Sequence, residues 1–130
     1  VLVADVPFVD VITTLLDPTL PLTESDIVEW GNPKVPADAR YLLEYSPYQQ
    51  VREQDYPKLL VQASKNDGRV GAHEALKWMA KIRVYSTGSG LQLVDIQDDS
   101  GHLGPSDQYL RRRKQALEYT FVIQGLGLRN

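Results

Sequence analysis

Leu59-Leu60-Val61-Gln62-Ala63, then Ser64-Lys65-Asn66-Asp67-Gly68, then Gly71–Tyr85, is the stretch that decides the fold. The first five residues form a short apolar run entered from Pro57 and read as a buried strand. The next five are loop chemistry. From Gly71 to Tyr85, Ala72, Ala75, Leu76, Met79 and Ala80 fall at i, i+3, i+4 spacing, the pattern of an amphipathic helix. Gly88 and Gly90 break it, and Leu91–Ile96 repeats the strand pattern. Strand, helix and strand at this spacing predict a parallel pair joined by a crossover.

Downstream, the polar loop Asp98–Pro105 leads into a long helix from about Ser106 to Gln124, with Leu110, Leu117, Thr120 and Phe121 on one face. Upstream, Val1–Val6 is rich in β-branched residues and ends at Pro7, which suits a further buried strand. Asp10–Leu16 is apolar but short, and Asp17-Pro18 stops it. Thr23 or Ser25 suits the cap of a brief helical turn through Glu29. Asp38–Tyr45 reads as a short helix with Ala39, Leu42 and Leu43 inward, ended by Ser46-Pro47. The expected fold is α/β: a small parallel sheet of about three strands with crossover helices, its edges open to another strand.

The chain has 130 residues, one domain's worth or a piece of a larger one. It carries 14 Lys and Arg against 17 Asp and Glu, a net charge of −3. A mildly acidic chain has no global attraction for nucleic acid or an anionic membrane, so neither partner is expected. Asp5, Pro7 and Asp10 interrupt the apolar start, well short of the ~18 residues a spanning helix needs. With no cysteine there is no disulfide framework, thiolate zinc site or cysteine nucleophile, which suits a reducing compartment. The opening on Val1-Leu2-Val3-Ala4, without an initiator Met, reads as the middle of a protein, so an excised or incomplete unit is expected.

Two loops follow the carboxyl ends of predicted parallel strands, the edge where ligands bind in open α/β sheets. One carries Asp67 and the other His102. Acid then His, in that order, is what an α/β-hydrolase triad requires of its last two members. The same two residues also fit a surface Asn-Asp-Gly turn and an exposed His in a glycine-rich loop.

The words around them narrow the choice. Val6-Pro7-Phe8-Val9-Asp10-Val11, Leu16-Asp17-Pro18-Thr19-Leu20-Pro21-Leu22-Thr23, Glu29-Trp30-Gly31-Asn32-Pro33 and Tyr45-Ser46-Pro47-Tyr48 resemble the C-terminal catalytic region of the prolyl oligopeptidase family, in particular its oligopeptidase B branch. The resemblance continues through Asn66-Asp67-Gly68-Arg69-Val70, Glu74-Ala75-Leu76-Lys77-Trp78 and Ser100-Gly101-His102. It implies a serine peptidase acting on short peptides, with an α/β-hydrolase catalytic domain capped by a β-propeller. Residues 1–130 would be the C-terminal portion of that domain, in a cytoplasmic protein needing no cofactor. Asp67 matches the triad acid, His102 the triad base, and Arg69 a group that hydrogen-bonds substrate backbone. Asp26 falls where one carboxylate of a pocket for basic side chains is expected; it also fits an ordinary helix N-terminal acid. Val28 falls where a second carboxylate is expected, which puts basic specificity in doubt.

The family's Gly-x-Ser-x-Gly nucleophile elbow does not occur in this sequence. The chain alone is therefore expected to be inactive, with the serine and the rest of the domain supplied from outside it. The alternative is a catalytically silent relic acting as an interaction module. Trp78 is expected to pack, and Trp30 either lines a pocket or anchors its loop. Arg111-Arg112-Arg113-Lys114 reads as a solvated helix face. His73 and His102 lie on separate segments with no metal spacing, so no metal is expected.

Overall fold

A computed structural model describes residues 1–128. Its elements are β1 (Leu2–Asp5), α1 (Val11–Leu16), α2 (Thr23–Trp30), α3 (Pro36–Tyr45), β2 (Leu59–Ser64), α4 (Ala72–Tyr85), β3 (Gln92–Gln97) and α5 (Gln108–Gly125). The three strands form one parallel sheet in the order β1-β2-β3. Leu2, Leu59 and Gln92 share one row, and Asp5, Gln62 and Asp95 share another.

β2 is buried along its whole length because strands flank it on both sides. Side chains alternate along it. Leu59, Val61 and Ala63 meet Ala75, Met79 and Ile82 of α4, and this is the main core. Leu60, Gln62 and Ser64 turn to the opposite face, which α5 approaches through Lys114 and Asp5. A second, smaller core joins Val11, Leu15 and Leu42 among α1, α2 and α3, with Phe8, Ile12, Ile27 and Tyr45 packed around it.

Several expectations need correction. Val1–Val6 is not a buried strand: β1 is shorter, pairs only with β2, and leaves Leu2 exposed. Apolar composition reports what a strand tolerates, not how many neighbours it has. Asp10–Leu16 contains a six-residue helix, α1, too short for its spacing to show in the sequence. Thr23 does not cap α2: Leu22 holds that position and the Thr23 hydroxyl donates to the carbonyl of Asp17. α3 begins at Pro36, whose fixed φ and missing N–H suit a first turn, rather than at Asp38. Leu43 is exposed, and so are Leu110 and Thr120 of α5, where Phe121 is the buried contact.

The buried face of α4 is rotated from the expected one. Leu76 and Ala80 are exposed, and Glu74 is buried instead. The Glu74 carboxylate accepts hydrogen bonds from the Val9 N–H (2.7 Å), the Asp10 N–H (2.9 Å) and the Thr14 hydroxyl (2.5 Å). It thereby joins α4 to the chain leaving β1 and to α1. Asp10 is also buried and pairs with Lys77 and the Gln49 side-chain amide. Burial pushes the Asp10 carboxyl up, but hydrogen bonds from Lys77, Gln49 and Thr13 together hold it below its usual value.

Glu74→Ala strips two buried N–H groups and a hydroxyl of their acceptor. Urea denaturation is expected to show a loss on the order of 3 kcal/mol. Glu74→Gln is expected to cost clearly less, because its carbonyl oxygen still serves both N–H groups and its NH₂ donates to Thr14.

Candidate active site

The central strand β2 and its neighbour β3 each deliver a loop at their carboxyl ends. After β2 the chain turns at once: the Asp67 N–H donates to the carbonyl of Ser64 at 3.2 Å. The Asp67 side chain then folds back over its own turn. Its Oδ1 accepts from the N–H groups of Arg69 (2.8 Å) and Val70 (3.0 Å). This is the local side-chain-to-backbone bonding for which Asp suits turns.

After β3 the loop tightens around Gly101 and Gly104, with the Gly104 N–H donating to the Gly101 carbonyl at 3.0 Å. Gly104 has φ +78°, a conformation that favours glycine. The turn presents His102, while the neighbouring Leu103 side chain is exposed.

The structure brings Asp67 and His102 together. Asp67 Oδ2 lies 2.9 Å from His102 Nδ1, with the Asp67 side chain 0% exposed and the His102 side chain 27% exposed. An ionised carboxylate only accepts, so Nδ1 is the donor. In a neutral imidazole Nε2 is then the acceptor, and it has no protein partner among the described residues. Burial pushes the Asp67 carboxyl up. The N–H groups of Val70 and Arg69 and the His102 imidazole outweigh that and hold it below its usual value.

Arg69 is exposed and its guanidinium makes no hydrogen bond among the described residues. A hollow of about 140 Å³ opens beside Asp67, and Arg69, Asp67 and Asp26 line it, whereas His102 does not. Asp26 sits in the first turn of α2, so it is both a helix N-terminal acid and a wall of the hollow. Val28 is 87% exposed and takes no part in that wall. Trp30 packs edge-on against Phe8, with ring centroids 6.0 Å apart, and so anchors its loop. Trp78 is half-buried against the main core. The basic run is not simply solvated: Arg111 donates to the carbonyls of Pro105 and Ser106, and Lys114 pairs with Asp5.

Sequence reasoning missed His73, which weighed there only as a metal ligand. It lines the hollow along with Asp26 and stands at the start of α4. Its place directly after the Asp67 loop was the one available signal.

The class follows from known proteins. The model of the prolyl oligopeptidase family matches residues 1–129, and the chain belongs to that family. Among individual proteins, it is 38% identical to Protease 2 of Moraxella lacunata, over 98% of this chain and 19% of the relative. It is 38% identical to dipeptidyl aminopeptidase BI of Pseudoxanthomonas mexicana, over 95% of this chain and 17% of the relative. Among solved structures it superposes on oligopeptidase B from Trypanosoma brucei with covalently bound antipain, with a TM-score of 0.94 and 43% identity, covering 98% of this chain and 18% of that one. The chain thus spans under one fifth of the length of these relatives. Its fold is that of the family's α/β-hydrolase domain.

The depressed Asp67 carboxyl fixes a sign for acid stability. A group whose folded pKa lies below its unfolded value, about 4, contributes stability above that value and loses it as pH falls through the folded one. The stability difference between the natural chain and Asp67→Asn is expected to be constant above about pH 5 and to shrink below about pH 4. Chemical denaturation across that range measures it.

Proposed function

We propose that this chain supplies the acid–base half of a serine peptidase active site, with the nucleophilic serine provided from outside these 130 residues. The single observation that carries the reading is the 2.9 Å Asp67–His102 contact at the carboxyl edge of a parallel sheet, with Asp67 locked by two backbone N–H groups. In this reading Asp67 fixes the Nδ1–H tautomer and stabilises the imidazolium that forms. His102 Nε2 takes the proton of the serine hydroxyl during attack on the scissile carbonyl. It then returns that proton to the leaving amine. Arg69 presents fixed N–H donors to a substrate carbonyl. Asp26 offers one countercharge to a basic side chain entering the hollow, and Val28 offers none.

Short peptides are the proposed substrates, and the rest of the catalytic domain with a β-propeller the proposed partner. The compartment is proposed to be the cytoplasm. The resemblance in sequence to the oligopeptidase B branch supports all three. A second reading, an interaction module without catalysis, draws on the outer edge of β1, which has no strand partner among the described residues.

A chimera tests the choice. Residues 1–130 would replace the matching segment of Trypanosoma brucei oligopeptidase B. A folded chimera is expected to hydrolyse short peptides. In it, Asp67→Asn is expected to lower kcat by up to ~10⁴ and His102→Ala by at least as much. Arg69→Ala is expected mainly to raise KM. Full turnover after loss of Asp67 or His102 would end the mechanism. A folded but silent chimera would favour the interaction module.

The isolated chain is expected to resist labelling by a serine-directed fluorophosphonate, since it contains no nucleophile elbow. Stoichiometric labelling of any of its serines, read by mass spectrometry, would refute that.

A further inference from the structure

Asp67 and His102 stand on loops from different strands, 35 positions apart in sequence. Something must fix the distance between those loops once the strands end. The ladder between β2 and β3 runs to Ser64 and Gln97, and the Lys65 N–H extends it by one bond to the carbonyl of Gln97 at 2.8 Å. Beyond that point the joining falls to Asn66. Its backbone N–H donates to the carbonyl of Ser100 at 3.3 Å. Its side-chain Nδ2 donates to the carbonyl of Asp98 at 3.0 Å. Its own carbonyl oxygen faces Gly101. Asn66 is the residue immediately before the acid, and Gly101 immediately precedes the His.

Two further contacts set the limits of the brace. Beneath it, the hydroxyls of Ser64 and Ser100 lie 3.0 Å apart, both buried. At the far end, Arg111 ties the carbonyls of Pro105 and Ser106 to α5. The Lys65–Asp98 ion pair is 3.6 Å long between exposed side chains and adds little. The His loop is thus held from below and from behind, and Asn66 holds it sideways against the acid.

We infer that Asn66 is a positioning residue: by bracketing residues 98–101 with its side chain and backbone, it sets the contact between Asp67 and His102. This rests on the acid–base reading proposed above. The chemistry of the position requires a donor of this reach. Asp98 offers a carbonyl, so Asp at position 66 would put acceptor against acceptor, and Ser would fall short. An amide does neither.

Proton NMR of the full chain tests the inference. The Nδ1–H of a His bonded to a carboxylate resonates far downfield and exchanges slowly with water. The natural chain is expected to show this signal, and Asp67→Asn to abolish it. Asn66→Ala and Asn66→Ser are expected to speed its exchange by roughly tenfold or to broaden it away, with the amide protection of β2 unchanged. Asn66→Gln, which keeps the donor, is expected to restore much of it. An unchanged signal in both Asn66→Ala and Asn66→Ser, with Asp67→Asn abolishing it, would overturn the role of Asn66 and leave the acid–base pair standing. Loss of β2 protection in step with the signal in both variants would make Asn66 a folding residue and overturn the inference as well. A signal that is absent from the natural chain, or that survives Asp67→Asn, would overturn the pair itself.

Discussion

The arrangement of this chain depends on one buried carboxylate. Glu74 sits in the first turn of α4 and spends one oxygen on two backbone N–H groups of the β1–α1 connection and the other on a hydroxyl of α1. A buried charge is expensive unless every lone pair finds a donor. Here the donors belong to a segment that shares no apolar core with α4: the cluster around Leu15 and Leu42 is separate from the cluster around Val61 and Met79. The two halves are fastened by polar contacts. Asp10 reinforces them through Lys77 of α4, while the Ser46 hydroxyl, accepting from the Val11 N–H, and Gln49, donating to Asp10, tie the helical layer within itself. Such contacts are directional, so they fix where α1 and α2 lie relative to the sheet more tightly than apolar packing does.

That fastening reaches the site. His73 immediately precedes Glu74, and Thr14, which bonds to Glu74, is another wall of the hollow. Asp26 faces it from α2. Asp67 and His102 hang from the sheet, the helical layer supplies Thr14 and Asp26 to the wall of the hollow, and Glu74 bonds the two layers together. The pair and the hollow therefore have different supports. The pair is braced within β2, β3 and their loops. The hollow depends on the junction between layers.

The strands were legible in the sequence because each has a local signature. β2 announces itself by an unbroken apolar run, and its parallel partner by a repeat of that run after one helix. The closeness of Asp67 and His102 was legible through the resemblance in the words around them, since their place after parallel strands fits a surface turn and an exposed His as well. The junction was not legible. Glu74 stands in the first turn of a helix, where an acid suits the dipole, so it looks like a surface acid, and the apolar spacing points to Leu76 and Ala80 rather than to Glu74 and Ile82. A buried polar residue betrays itself only through its partners, and those lie 60 or more positions away. The exposure of β1 escaped notice for a related reason, since the number of strands beside a strand is a property of the whole sheet.

The parallel topology also ranks the cost of closing its two pairings. β2 meets β3 across the single helix α4, whereas Leu2 meets Leu59 only after three helices and their loops have been gathered in. Closing the longer loop costs more chain entropy before any contact rewards it. By chain entropy β2–α4–β3 is the cheaper unit to close, and Asp67 and His102 both hang from it, whereas the walls of the hollow that α1 and α2 supply come with the longer closure.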